Sequence, residues 1–296
     1  MDVSIIFVNY KTKDLTINAI NSVIEKTEDL EYEVFVVDNN SQDGSIEAIG
    51  QEFPNINIIK NSINAGFGTA NNLAIKQARG KYILCLNTDT LLVNNAIKIM
   101  FDFMEKEENQ QVGVCGGYLT DKDLNSIHCG GRLPNLKEIF WKFGLKQIFK
   151  KYYSNNIKML LNSDEKDLNK KLEYITGADI FFRKSVLDKV GLFDENIFMY
   201  CEETDLCKRI KDAGYEVKFV EDAKIIHLEG QSIKQSLQRK KWFKESQVYY
   251  FKKHHPQQVW LVKAIYITLY LIGWLILRNK DSKELLLFII QEAGRK

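Results

Sequence analysis

Short apolar runs alternate with amphipathic stretches through the first 120 residues, and this alternation constrains the fold more than any other feature. Val3–Val8 (VSIIFV) is continuous and β-branched, as a strand buried on both faces should be. A helix is expected to follow, with Asp14 as its N-cap and Leu15, Ala19, Ile20, Val23 and Ile24 on its apolar face. Glu33–Val37 reads as a second strand, ending in the dense turn signal Asp38-Asn39-Asn40-Ser41-Gln42-Asp43-Gly44-Ser45. A short helix, a third strand near Ile56–Ile59 and a helix over Thr69–Arg79 come next. Tyr82–Leu86 is a fourth strand, then a helix over about Asn94–Lys106 and a strand near Val112–Cys115. This order predicts an α/β chain with a doubly wound, mostly parallel sheet, in which ligands bind beyond the carboxyl ends of the strands. The polar segments Asn9-Tyr10-Lys11, Asp38-Asn39-Asn40 and Asn87-Thr88-Asp89 fall at that edge.

The second half is less regular. Residues 133–172 are rich in Lys and Asn and read as a helical insertion. A helix from Glu203 to Ala213, ended by Gly214, precedes strands at Tyr215–Val220 and Ala223–Leu228. Charge then changes sign: residues 1–120 hold 9 Lys+Arg against 16 Asp+Glu, whereas residues 231–296 hold 13 against 4. Aromatic residues are interleaved with the basic ones over 233–253, and Val259–Leu277 is apolar apart from Lys263. Its charge-free part, Ala264–Leu277, would rise about 21 Å as a helix, short of the ~30 Å hydrocarbon core. We therefore expect a division at about residue 232, with the 233–296 segment lying on a membrane surface. Packing in an oligomer and a tilted span are the alternatives. An acidic N-terminal half and a long apolar run argue against a nucleic-acid partner.

At 45% hydrophobic and 27% charged residues, the chain has ample material for a core, which excludes a disordered or coiled-coil protein. Its five cysteines (85, 115, 129, 201, 207) include no C-x-x-C pair, so a reducing cytoplasm is expected, with Cys85 and Cys115 in the core. The amino-terminal residues lack the pattern of a signal peptide.

Several polar residues invite two readings each. Asp89, just past an apolar strand, suits a hard divalent cation, or else caps the next helix. Asp38 would accept a hydrogen bond from a base or ribose, or close an Asx-turn. Asn64-Ala65-Gly66-Phe67-Gly68 precedes a helix and offers backbone N–H groups to a phosphate. Asn71 occupies the place of the third glycine of a dinucleotide fingerprint, which argues against a dehydrogenase. Glu202, Glu203 and Asp205 would supply a general base, or simply favour a helix N-terminus. His227 is a ligand or a core residue.

In their order along the chain these motifs, continued by Thr176-Gly177-Ala178, Phe182-Arg183, Val190–Glu195, Phe198–Leu206 and His227–Ser232, resemble the inverting glycosyltransferases of family 2, rhamnosyltransferase-like branch. The resemblance covers about residues 3–232. It implies a GT-A fold, a nucleotide-diphosphate sugar and Mg²⁺ or Mn²⁺. It places Asn9, Tyr10, Asp38 and Asn40 at the nucleoside, with Asn64, Gly66, Phe67 and Asn87 bordering the donor. Asp89 and His227 would hold the metal. Gly177, Ala178 and Glu202 would lie on the acceptor side, with Glu203 as catalytic base where the family more often has Asp. By the same resemblance the donor is dTDP-rhamnose or a UDP-hexose, and the acceptor a saccharide or lipid-linked saccharide of cell-surface polysaccharide synthesis. A non-catalytic sugar-nucleotide binder on this fold is the competing class.

Overall fold

The computed structural model describes residues 1–142, 169, 171–228, 236–276 and 278–294. The elements begin β1 (Val3–Asn9), α1 (Lys13–Lys26), β2 (Tyr32–Asp38), α2 (Ser45–Glu52), β3 (Asn57–Lys60), α3 (Phe67–Ile75) and β4 (Tyr82–Leu86). Then come β5 (Thr90–Leu92), α4 (Ala96–Glu105), β6 (Val112–Thr120), β7 (Gly130–Gly131), α5 (Leu136–Lys142), β8 (Tyr174–Ile175) and β9 (Asp179–Arg183). The chain ends with α6 (Lys184–Val190), α7 (Glu202–Asp212), β10 (Glu216–His227), α8 (Leu237–His254), α9 (Val259–Leu275) and α10 (Lys280–Gly294).

Eight strands form one sheet in the order β3-β2-β1-β4-β9-β6-β10-β5. β3, β2, β1 and β4 are parallel, as the apolar runs foretold. Val3, Ile5, Ile6 and Phe7 are wholly buried, and each such side chain contributes about 1.5–3 kcal/mol of burial. β9 runs antiparallel between β4 and β6, and β5 antiparallel against β10. Neither reversal was expected, because each is a pairing between residues far apart in the chain. The two strands expected at Tyr215–Val220 and Ala223–Leu228 are one strand, β10, with a register shift between Val220 and Lys224. Such a bulge bends a strand while keeping it in the sheet.

Asp14 sits in the first turn of α1 rather than capping it; Thr12 precedes the helix, and its hydroxyl is turned to the Asn9 side chain at 3.1 Å. Cys85 and Cys115 are core residues, and Cys129, Cys201 and Cys207 are buried free thiols as well. The large core runs from Val3 to Ile225. A second, smaller core joins Tyr250 and Phe251 of α8, Val262, Ile265, Tyr266 and Tyr270 of α9 and Leu285, Leu286 and Ile289 of α10. Ile139 of α5 packs into that second core, so the start of the 133–172 insertion docks on the C-terminal helices. The rest of the insertion expectation, residues 143–168 and 170, lies outside the described residues, as do Glu229–Ser232. Among the described residues one helix, Pro256–Leu275, is long and apolar enough to cross a membrane.

Candidate active site

A cleft of about 240 Å³ opens at the carboxyl ends of β1, β2 and β4, where the strand order predicts a site. Tyr10, Asn64, Phe67, Asn87 and Asp89 line one part of it. Gly177, Ala178, Glu202 and Glu203 line another. Asn9, Asp38, Asn40, Gly66 and His227 do not line it, and their positions explain what they do instead.

Asn9 and Asp38 end β1 and β2 in register. The Asn9 amide is wholly buried and donates to Asp38 Oδ1 at 2.8 Å, Ser41 Oγ at 3.0 Å and Ser45 Oγ at 2.8 Å. Its oxygen accepts from the Thr12 and Thr16 hydroxyls. Asn9 thus pins the loops after β1 and β2 together from behind. The other Asp38 oxygen accepts from the Ser41 N–H, three residues on, and so braces the loop after β2. Asn40 accepts from the Gln42 amide in the same loop. The residue that reaches the cleft from this loop is Asn39. It donates to Asn64 Oδ1 at 2.8 Å and accepts from the Ala65 N–H at 3.0 Å, tying this loop to the one before α3.

Asp89 is buried and does not cap α4, whose first residue follows Asn95. Antiparallel pairing of β5 with β10 sets Thr90 opposite His227, and the Leu228 N–H donates to the Asp89 carbonyl at 2.8 Å. In consequence Asp89 Oδ1 and His227 Nε2 lie 3.3 Å apart, with the Asn87 amide nitrogen 3.5 Å from the same ring nitrogen. No group of three His, Cys, Asp or Glu side chains among the described residues is placed to hold a metal ion. A carboxylate oxygen and an imidazole nitrogen converging at the edge of a cleft nevertheless fit a divalent cation that takes its other ligands from substrate phosphates and water.

α7 brings the carboxylate pair. It starts at Glu202, with Glu202, Glu203 and Asp205 in its first turn, so the helix-terminus reading holds for all three. Tyr200 and Cys201, just before it, both have positive φ (68° and 66°), an arrangement costing on the order of 1–3 kcal/mol per residue. Contacts from α8 hold this turn. Ser246 donates to the Met199 carbonyl at 2.8 Å, Trp242 packs on Phe198, and Arg239 donates to the Tyr200 hydroxyl. Gly66 (φ +85°) lets the same segment approach, because a Cβ there would stand 2.0 Å from the Phe198 carbonyl oxygen. Burial raises both glutamates above the ordinary carboxylate range, and for Glu202 the neighbouring Glu203 charge adds to it. Backbone N–H groups and the Thr204 hydroxyl oppose the rise at Glu203, and a backbone hydrogen bond opposes it at Glu202.

Sequence reading put Asn39 and Thr88 at the ligand-binding edge without giving either a role, and it missed Tyr200 and Arg239 as wall residues. Asn39 carried a signal in the same polar run as Asp38, and Arg239 carried none beyond the basic character of its segment. Asp179 was also missed. It is wholly buried at the start of β9, with one oxygen accepting from the Gly117 N–H at 2.6 Å and the other without a hydrogen-bond partner among the described residues. Burial pushes its carboxyl up to about 7, against the Gly117 bond and the nearby His227.

Comparison with known proteins follows this geometry. A family profile described as glycosyl transferase family 2 matches residues 4–191. An N-acetylglucosaminyl-diphospho-decaprenol L-rhamnosyltransferase of Mycobacterium tuberculosis is 25% identical over 207 residues, 66% of this chain and 66% of that one. The match therefore spans just under two thirds of that relative's length. Rhamnosyltransferase WbbL of Escherichia coli is 26% identical over 209 residues, 68% of this chain and 74% of that one. Among solved structures, the mannosyltransferase PcManGT from Pyrobaculum calidifontis, in complex with GDP-Man and Mn²⁺, superposes with a TM-score of 0.58 at 15% identity, covering 99% of this chain and 76% of that one. That likeness is one of fold.

Proposed function

The chain belongs to glycosyl transferase family 2, and from that premise we propose that it is a metal-dependent inverting enzyme that moves rhamnose from dTDP-rhamnose to a lipid-linked saccharide. Its superposition on a solved mannosyltransferase supports a GT-A fold. The observation that carries the finer reading is a cleft lined by Asp89 and Glu203, with the His227 ring 3.3 Å from the Asp89 carboxylate.

An acceptor hydroxyl attacks the anomeric carbon while the nucleoside diphosphate departs from the opposite face, which inverts the centre. Glu203, as carboxylate, takes the hydroxyl proton as the new bond forms. Asp89 and His227 would hold the divalent ion, which supplies positive charge to the leaving diphosphate. Tyr10, Asn39 and Asn64 border the donor, with Asn9 and Asp38 fixing the loops behind them. Gly177 and Ala178, beside Glu202, leave room for the acceptor sugar. The names of the relatives support rhamnose as the sugar and a diphospho-polyprenol as the acceptor's carrier. We place the chain on the inner face of the cell membrane, held there by its basic, apolar C-terminal helices.

A panel of nucleotide sugars, with and without Mn²⁺ or Mg²⁺ and scored by nucleoside-diphosphate release, tests this. Metal-dependent release from dTDP-rhamnose, lost in Glu203→Gln and in Asp89→Ala, is expected. Release from a UDP-hexose alone would overturn the sugar. Nucleotide-sugar binding with no transfer to any acceptor would favour a non-catalytic binder.

A further inference from the structure

A second cavity, of about 490 Å³, opens beside the cleft and shares Tyr200 and Arg239 with it as wall residues. Its volume falls in the range of about 300–1,000 Å³ common for small-molecule sites. α7 begins two residues after Tyr200 with Glu202 and Glu203, so the shared wall adjoins the carboxylate pair. The whole lining lies beyond residue 191, where the family match ends, and is particular to this chain. Lys240 pairs with Asp281 at 2.7 Å and ties α8 to α10 at this wall. Gly273 lets α10 pack close on α9, because a Cβ there would stand 2.5 Å from Ser282 Oγ.

This wall offers a ligand rings and neutral hydrogen-bonding groups. Tyr200 and Phe243 meet edge to face, with centroids 5.9 Å apart. Tyr270 of α9 is 8% exposed, yet its hydroxyl has no hydrogen-bond partner among the described residues. Buried tyrosine hydroxyls usually find one. Burial pushes this phenol up to about 12, so it stays a neutral donor. Asn279, just before α10, accepts from the Ser282 N–H at 3.3 Å through its oxygen. Its amide nitrogen has no partner among the described residues either. An uncharged ligand rich in hydroxyls and with an apolar face suits such groups. A sugar unit is one: hydroxyls project from the edge of its ring, and C–H bonds make its faces apolar.

We propose that this second cavity is a saccharide subsite, holding the sugar unit of the acceptor next to the one that is attacked. The proposal rests on the glycosyltransferase reading above and deepens it by making the acceptor at least a disaccharide. The attacked unit lies in the cleft with its hydroxyl at Glu203, and the glycosidic bond to its neighbour passes the shared wall at Tyr200 and Arg239. In the second cavity the Tyr270 hydroxyl and the Asn279 amide donate to hydroxyls of the neighbouring unit, whose apolar face meets the corner formed by Tyr200 and Phe243.

Binding of the full chain, saturated with dTDP and Mn²⁺, to an array of bacterial mono- and oligosaccharides tests the assignment. At least one glycan of two or more units should be retained, about tenfold or more tightly than its component monosaccharides. Tyr270→Phe removes the unpartnered hydroxyl, and Asn279→Asp removes the amide donor while keeping an oxygen for the Ser282 N–H. The double variant should therefore keep its Tm and lose about tenfold or more of that affinity. No retained glycan, or undiminished affinity in the double variant, would overturn the site. Monosaccharides held as tightly as the longer glycans would overturn the two-unit acceptor. Nucleoside-diphosphate release from a donor, measured on the same preparation, separates the two levels. If release occurs and no glycan is retained, or the double variant keeps its affinity, this inference alone fails; if no donor is turned over, the reading beneath it fails whatever the array shows.

Discussion

Glu202 and Glu203 are neighbours in sequence, both withdrawn from water, and a like charge beside a buried carboxylate disfavours its ionisation. The Thr204 hydroxyl and backbone N–H groups favour ionised Glu203, whereas Glu202 has one oxygen without a hydrogen-bond partner among the described residues. On the proposed mechanism Glu203 is the base and Glu202 its neutral neighbour. Glu203→Gln should lower kcat by about 10²- to 10⁴-fold. Glu202→Gln should keep most activity and leave the acid limb of the kcat/KM profile where wild type has it. That limb should stand above the ordinary glutamate range, because a base with a raised pKa is ionised only at higher pH. If Glu202→Gln were the dead variant, the roles would be reversed. Stability carries the opposite sign. With folded pKa values above the unfolded ones, the folded state holds protons the unfolded chain releases, so these groups cost stability as pH rises from about 4.3. At this scale Asp89 stood out as a polar residue just past an apolar run, whereas Glu203 and His227 were singled out by the family resemblance rather than by local pattern. Tyr200 and Arg239 were not legible, since their place in the wall depends on a helix packing back from 39 residues further along the chain.

Among the elements, the joint between α7 and α8 bears most directly on the site. Asp205, on the first turn of α7, is wholly buried and accepts from Arg209 at 2.9 Å, with Lys253 at 2.8 Å and His254 at 2.7 Å reaching it from α8. Burial opposes ionisation, but hydrogen bonds from His254 and Lys253 and the Arg209 charge outweigh it and hold the carboxyl below its usual range. Lys253 also pairs with Asp194 at 2.6 Å, so one cation clamps both ends of the segment that carries Tyr200 and Cys201 in their strained backbone. Asp205→Ala should destabilise the chain by about 3–5 kcal/mol, because it leaves buried cations without their counter-charge. The depressed pKa means that this stabilisation is present above the unfolded value near 3.9 and is lost as pH falls through the folded one. Denaturant melts should thus show wild type and variant far apart at pH 7 and drawing together as pH falls below the ordinary aspartate range; equal midpoints at pH 7 would show that the joint is not needed. The strands β1 to β4, built from local apolar runs, were legible to within a residue at each end, whereas the helix expected over Thr69–Arg79 runs from Phe67 to Ile75. β9 was not legible: its insertion between β4 and β6 pairs Leu86 with Asp179, and no local pattern encodes a partner so distant.

For the whole molecule, charge and exposed apolar surface share one end. The 9 Lys+Arg and 16 Asp+Glu of residues 1–120 repel an anionic bilayer, while the 13 Lys+Arg and 4 Asp+Glu of residues 231–296 attract it. α9 buries one face in the small core and leaves Trp260, Leu271, Leu275 and the following Ile276 exposed, with Leu287 and Ile290 exposed on α10. A helix that spanned a bilayer would have to give up Val262, Ile265 and Tyr266, which pack against α8 and α10, so docking on one leaflet keeps the most native burial. Flotation with phosphatidylglycerol vesicles should recover the full chain in the lipid fraction at low salt. Trp260→Ser/Leu275→Ser should reduce recovery about tenfold or more, while donor cleavage without lipid should be unchanged, because neither residue touches the cleft. Recovery that disappears in 0.5 M salt but survives the double serine change would mean charge alone holds the protein at the surface. Recovery unaffected by both would point to a spanning helix.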